Sequence, residues 1–300
     1  MGSKIHIVAD ENIGLVEDVF APFGTSSLLG GTAIKPADLR NTDALLIRSV
    51  TKVNAYLLSA CTDLKFIGSA TSGTDHVDIP LLDARGIHFA YAPGSNAQSV
   101  AEYVLAAVIS RYKSVDNVSG LTVGVVGVGK IGSRVARMFK ALGCSVIAND
   151  PPLFDGAGRP DEYEITDLDT LLTSSDVISL HVPLTRSGSW PTSGFIDTAE
   201  AVRIRNGSLF INTSRGEVVT QRAIRQLQQS SVNCVLDVWP GEPGPHQSIV
   251  EAAFLATPHI AGYSFDGKIR GTRMLRDALC DFLPGREPTY EWESRKSAPE

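Results

Sequence analysis

Short apolar runs alternate with stretches of helical period along nearly the whole chain, the pattern of a protein that threads strand and helix in turn. In the first third, Ile5 to Ala9, Ala44 to Ile47, Phe66 to Ser69 and Gly86 to Tyr91 read as strands. Helical stretches fall around Leu15 to Phe20, Ala55 to Ala60 and Pro80 to Ala84. From Leu121 the pattern sharpens. Thr122 to Val126 is a β-branched run suited to a buried parallel strand. Ser133 to Leu142 then spaces Val135, Met138, Phe139 and Leu142 as one helix face before Gly143, and Val146 to Ala148 is a second strand. Asp176 to Val182, Ser208 to Thr213, Val232 to Asp237 and Phe254 to Ala256 continue the strands, with helices at Thr166 to Thr173 and Val218 to Gln229. Lys268 to Phe282 predicts a last helix returning to the first domain, and Glu291 to Glu300 is a polar tail expected to fray.

This alternation predicts an α/β protein of two doubly wound parallel-sheet domains. Residues 95–267 form the Rossmann domain, with about six strands. Residues 1–94 and 268–300 form a smaller, flavodoxin-like substrate domain. Ala92-Pro93-Gly94 breaks the pattern and predicts a hinge. Asn96 to Tyr112 reads as a helix whose apolar residues are denser than one exposed stripe requires. It is expected to be buried: between domains, against a second subunit, or inside a monomer.

Composition narrows the function. A hydrophobic share of 43% and a charged share of 20% suit an ordinary soluble domain protein. The net charge of −6 speaks against a nucleic-acid surface. Cys61, Cys144, Cys234 and Cys280 are scattered, which argues against a disulfide framework or a metal site and suits a reducing cytoplasm. Cys144 and Cys234 are expected in the core. No membrane span or signal peptide is visible, so the expected partner is a small molecule, not a membrane.

Gly127, Gly129 and Gly132 follow the Thr122 to Val126 strand at G-x-G-x-x-G spacing and open a helix. In a strand–turn–helix unit the first glycine permits the tight turn and the second lets a pyrophosphate approach. The third lets the helix pack close, with its positive end towards phosphate. Asp150 closes the next strand, where a carboxylate can accept the adenosine ribose hydroxyls and repel a 2′-phosphate. The expected cofactor is NAD.

Ligands of such sheets bind beyond the carboxyl ends of the strands. Arg215, Glu242 and His259 each follow a different strand at that edge. Hydride transfer between NAD and a 2-hydroxy acid needs a base for the hydroxyl proton and a cation for the carboxylate. His259 can move the proton, Glu242 can orient the ring and favour its protonated form, and Arg215 can hold the carboxylate or 2-oxo group.

The glycine turn, Asp150, NTSRGE around Arg215, LDVWPGEP around Glu242 and PHIAG around His259 resemble the D-2-hydroxyacid dehydrogenase family. The resemblance implies that Arg215 binds substrate and that Glu242 supports His259 as acid/base. Glu242 speaks against the formate dehydrogenase branch, which has glutamine there. It further implies a cofactor-binding set of Gly127, Gly129, Lys130, Ile131, Gly132, Asp150, His181, Val182, Pro183, Thr213, Ser214, Asp237, His259 and Gly262.

A narrower resemblance, to the erythronate-4-phosphate dehydrogenase branch, lies in ADEN (Ala9 to Asn12), LLIRSVTKVN (Leu45 to Asn54), SATSGTDHVD (Ser69 to Asp78), APGSNAQSVAEYV (Ala92 to Val104), NDPP (Asn149 to Pro152) and HIAGYSFDGKIRGT (His259 to Thr272). It implies 4-phospho-D-erythronate as substrate, on the route to pyridoxal phosphate, with substrate contacts at Ser49, Thr71, Ser72, Gly73 and Tyr263. Arg48 is either a phosphate ligand or the partner of an acid inside the first domain. The branch carries a C-terminal dimerisation domain that this chain is expected to lack, and Val182 stands where the branch usually has threonine. A homodimer is expected. The alternatives are a reductase of glyoxylate or hydroxypyruvate type and, more remotely, a nucleotide-sensing corepressor-like protein.

Overall fold

The structure, a computed structural model, describes residues 4–154 and 163–283. The stretch Glu291 to Glu300 lies outside the described residues. The chain divides into two compact units at Asn96/Ala97 and at Ser264/Phe265.

The first unit carries strands β1 (Ile5–Asp10), β2 (Gly24–Leu29), β3 (Ala44–Ile47), β4 (Phe66–Ser69) and β5 (His88–Tyr91), and helices α1 (Val16–Phe20) and α2 (Ile79–Ala84). All its pairings are parallel, in the order β2-β1-β3-β4-β5. Both faces are covered. Val8, Leu45, Ile47 and Ile67 pack into one apolar layer, whereas Ile7, Ala9, Leu46 and Phe66 pack into the other. A strand buried on both sides has no polar alternation, which explains the unbroken apolar runs of Ile7 to Ala9 in β1 and of the whole of β3.

β2 is absent from the sequence reading. Its residues, GTSSLL, lie on an edge strand paired only with β1 and are half-buried or exposed, so no apolar run marks them. The Ala55 to Ala60 stretch forms a 3-10 turn over Leu57–Ala60 instead of an α-helix.

The second unit begins with α3 (Ala97–Tyr112). There follow β6 (Thr122–Val126), α4 (Gly132–Ala141), β7 (Ser145–Asn149), α5 (Pro151–Phe154), β8 (Glu164–Ile165), α6 (Leu168–Ser174) and β9 (Val177–Leu180). Next come α7 (Thr198–Ala201), β10 (Leu209–Asn212), α8 (Gln221–Gln229), β11 (Asn233–Leu236), α9 (Gln247–Glu251) and β12 (Leu255–Ala256). The seven strands are parallel in the order β12-β11-β10-β9-β6-β7-β8, so the order reverses between β6 and β9. That reversal opens a crevice at the carboxyl ends of the two strands. The strand beyond the six anticipated is β8, too short to register as a hydrophobic run.

α3 packs Ala101, Val104, Ala107 and Val108 into this unit's own core beside Val135 and Phe139 of α4, leaving Leu105 and Ile109 half-buried. Cys144 and Cys234 are buried, and burial pushes the Cys234 thiol up to about 12. The last helix, α10 (Phe265–Phe282), belongs to the first unit and sets Leu275 and Leu279 in the layer of Phe66. Gly271 lets it approach the chain after β4: a Cβ there would stand 3.0 Å from the Ala70 carbonyl oxygen. No helix among the described residues is long and apolar enough to cross a membrane.

Candidate active site

The register of the second sheet brings the end of each central strand into line. Val126 pairs with Asn149 and Leu180, Leu180 with Asn212, and Asn212 with Leu236. The next residue along each strand is therefore Asp150, Gly127, His181, Thr213 or Asp237, and these five backbones form one row at the carboxyl edge. Each belongs to the cofactor set expected from the sequence.

The glycines at the switch point differ in cause. Gly127 has φ +85°, and a Cβ on it would meet the His181 carbonyl oxygen at 2.7 Å. A Cβ on Gly132 would lie 1.9 Å from the Gly127 carbonyl oxygen, so only glycine lets α4 start there. A Cβ on Gly129 would meet nothing within 4 Å. The protein itself makes no demand at 129, and the open space beside that backbone fits an approaching pyrophosphate. Lys130 is exposed and Ile131 half-buried in the same turn. Asp150 Oδ2 accepts the Val128 N–H at 2.8 Å, which ties the acid to the turn and leaves lone pairs for ribose hydroxyls.

Two buried polar atoms in the row have no hydrogen-bond partner among the described residues, His181 Nδ1 and Thr213 Oγ1. Such atoms are rare in folded proteins and mark places where a further polar group fits. Burial holds the His181 imidazole neutral, with its pKa down to about 3, and its Nε2 lies 2.9 Å from Ser179 Oγ. Ser214 is buried, its N–H and hydroxyl both donating to Asn212 Oδ1. Val182 follows His181, half-buried, and Pro183 beyond it is exposed. The residues present thus suit a dinucleotide: a glycine cradle, an acid at the ribose position and unpartnered polar atoms between them.

Beyond β11 and β12 lie the ionisable groups. His259 Nδ1 stands 3.0 Å from Glu242 Oε2, while Glu242 Oε1 accepts the Trp239 N–H at 2.7 Å. A carboxylate can only accept, so Nδ1 carries the hydrogen and Nε2 is left to exchange a proton. The Glu242 hydrogen bond raises the pKa of His259 above its ordinary value, against the opposing effect of burial. Burial pushes Glu242 up, yet the His259 and Trp239 hydrogen bonds bring it below the usual carboxylate range. Arg215, half-buried after β10, lowers both groups through its charge. Gly216 explains how it comes near: its Cβ would meet the Trp239 carbonyl oxygen at 2.0 Å, so the Arg215 and Glu242 loops touch backbone to backbone. The structure therefore gathers the three residues that the sequence spreads over 45 positions.

His259 adopts φ +58°, a left-handed conformation that costs a non-glycine residue roughly 1–2 kcal/mol. Asp237 supplies the restraint. Its carbonyl accepts the His259 N–H at 2.8 Å, and its carboxylate accepts the Ile260 and Ala261 N–H groups, both at 2.8 Å, and the Thr257 hydroxyl at 2.7 Å. Thr257 having donated, Tyr103 must donate to it across 2.5 Å, and burial keeps that phenol protonated by raising its pKa. Asp237 thus holds the His259 loop as well as standing in the row at the carboxyl edge. Nothing in the sequence signals the parts played by Tyr103, Thr257 and the Trp239 amide, which are distant along the chain and of common types. Gly262 is half-buried after this loop, and Tyr263 is 54% exposed.

In the first unit, Arg48 and Ser49 follow β3 and the Thr71–Gly73 turn follows β4, its neighbour in the sheet. Arg48 is half-buried and Ser49 exposed. Thr71 Oγ1 donates to the Gly73 carbonyl at 3.0 Å, and Ser72 Oγ donates to Asn96 Oδ1 at 2.7 Å. The backbone N–H groups of Thr71, Ser72 and Gly73 meet no acceptor among the described residues.

A parallel sheet with a glycine cradle at its switch point, and an imidazole–carboxylate pair beside an arginine on the same edge, defines a dinucleotide-dependent dehydrogenase. Residues 95–261 match the family described as D-isomer specific 2-hydroxyacid dehydrogenase, NAD binding domain, and the chain belongs to this family of NAD-dependent dehydrogenases. It is 47% identical over 291 residues to the erythronate-4-phosphate dehydrogenase of Salinibacter ruber, covering 94% of this chain and 73% of that protein. To the enzyme of the same name from Aeromonas hydrophila it is 43% identical, covering 98% and 78%. Among solved structures, the D-lactate dehydrogenase of Aquifex aeolicus complexed with NAD and lactic acid superposes with a TM-score of 0.78 at 25% identity, covering 93% of this chain and 95% of that one.

Proposed function

We propose that the protein oxidises 4-phospho-D-erythronate to its 2-oxo acid on the route to pyridoxal phosphate, and that it works as a cytoplasmic homodimer. Bound NAD supplies the hydride acceptor. His259 takes the hydroxyl proton on Nε2 while Glu242 steadies the imidazolium through Nδ1, and Arg215 holds the carboxylate and the developing 2-oxo oxygen. The Thr71–Gly73 amides and Ser49 are assigned to the acid end of the substrate, Tyr263 to its hydroxyls and Arg48 to its phosphate. The observation that carries the chemistry is the 3.0 Å contact between His259 Nδ1 and Glu242 Oε2. Support for the substrate comes from relatives of that name at 43% and 47% identity.

The test is an NADH assay with 4-phosphoerythronate, its 2-oxo acid, glyoxylate and hydroxypyruvate. Turnover of the phosphorylated acids at a kcat/KM at least a hundredfold above the others is expected. Arg48→Ala should raise KM for the phosphorylated substrate by about 10- to 100-fold, the worth of one charge-assisted hydrogen bond, and leave glyoxylate untouched. Preference for glyoxylate or hydroxypyruvate would overturn the substrate, and an equal effect of Arg48→Ala on both acids would remove its assignment. Sedimentation at twice the chain mass is expected of the dimer.

A further inference from the structure

The turn after β4 is held by hydrogen bonds whose directions follow one proton at a time. Thr71 Oγ1 lies 3.0 Å from the Gly73 carbonyl oxygen, which can only accept, so the threonine proton is committed there. Ser69 Oγ lies 2.8 Å from Thr71 Oγ1 and must therefore donate to it. Ser69 Oγ also lies 3.0 Å from His76 Nε2. Having given its single proton to Thr71, the serine accepts from the ring, and Nε2 carries hydrogen. One assignment satisfies all three contacts.

The relay starts from a fixed base. Ser69 is fully buried at the end of β4. The His76 carbonyl accepts the Val53 N–H at 2.9 Å, and Val53 bridges Val77, so the backbone beside the imidazole is tied to the segment after β3. On the far side of the turn, Ser72 Oγ accepts the Gly94 N–H at 3.1 Å while donating to Asn96. Between these anchors the Thr71, Ser72 and Gly73 amides keep their hydrogens without an acceptor among the described residues, an arrangement of successive N–H groups that suits an anion.

We propose that His76 is a positioning residue for substrate: its Nε2–H, relayed through Ser69 and Thr71, turns the Gly73 carbonyl back and presents the three amides to the substrate carboxylate. The inference rests on the function proposed above, which supplies that carboxylate. Thr71 then acts through its backbone, because its hydroxyl proton is already committed. A purely structural role for His76 would affect folding or every ligand alike, whereas the relay affects one anion site.

Two measurements on the ligand-free full chain test this without turnover. Long-range proton–nitrogen correlation of labelled histidine should show His76 with hydrogen on Nε2; an Nε2 without hydrogen overturns the relay. Titration with oxalate, a dicarboxylate probe, should shift the Thr71, Ser72 and Gly73 amides in the wild type. In Ser69→Ala and His76→Leu the oxalate Kd should rise about tenfold, the equivalent of one hydrogen bond. His76→Gln, which keeps an N–H donor, should restore it to within about threefold. Unmoved amides in the wild type, or an unchanged Kd in Ser69→Ala, overturn the inference, and Ser69→Ala decides alone if His76→Leu fails to fold. With substrate, the same variants should raise KM about tenfold and leave kcat and the NAD Kd within about threefold. A wild type that binds oxalate at these amides yet turns over no 2-oxo acid would defeat the proposed function and leave the relay standing.

Discussion

Each unit ends its parallel sheet in a loop steadied by a relay of hydroxyls, and the two relays terminate differently. In the second unit, Tyr103 donates to Thr257 and Thr257 to the Asp237 carboxylate, which also caps the backbone around His259. In the first, His76 donates to Ser69, Ser69 to Thr71, and Thr71 to a carbonyl. A hydrogen bond to a charged group is worth about 1.5–3 kcal/mol, a neutral one about 0.5–1.5. The ionic relay restrains a backbone held in a costly conformation at His259, while the neutral one only aims amides. Under the function proposed above, the sheet assigned the proton transfer is braced harder than the sheet assigned the carboxylate-binding amides.

The comparison predicts that substitutions in the second unit act on kcat and cofactor, and those in the first on KM. The largest effect is expected from Gly132→Ala, whose Cβ would stand 1.9 Å from a backbone oxygen. NAD binding measured by fluorescence should weaken by more than about a hundredfold, because α4 and the turn cannot both keep their places. Next, His259→Gln should lower kcat by about 10²- to 10⁴-fold, the span of general acid–base catalysis, with little change in NAD affinity. If kcat barely moves, the proton-transfer role belongs elsewhere. The smallest effects are expected from Thr257→Val, which removes the donor to Asp237, and then from Ser69→Ala. Urea unfolding should report a loss of about 1.5–3 kcal/mol, against about 0.5–1.5 for Ser69→Ala. Equal losses would erase the difference between the two relays.

What the sequence could announce follows the same division. The glycine turn and the residues after β10, β11 and β12 were legible because each lies at the end of an apolar run, and the topology of a doubly wound sheet sends such ends to one edge. Both sheets were legible where strands are buried on two faces. The edge strands β2 and β8 were not, since one is half-polar and the other is a Glu-Ile pair without the apolar run that marks β12. Neither relay could be read. Tyr103 and Thr257 stand 154 positions apart, and no local pattern records a hydrogen bond between them. That Asp237 braces the His259 loop, besides its place at the carboxyl edge of the sheet, emerges only from bonds formed after folding.

The central claim, that Glu242 tunes His259 for proton transfer, is tested most directly by titrating the His259 imidazole by NMR in the wild type and in Glu242→Gln. Glu242 raises the histidine pKa, so its contribution to stability is fully present below about 6.5 and fades as pH rises through the folded value. Oxidation needs the unprotonated ring. The account therefore predicts a wild-type pKa above 6.5, a lower one in Glu242→Gln, and an acid limb of the oxidation profile displaced to lower pH by the same amount. An imidazole that titrates identically in the two proteins would contradict it.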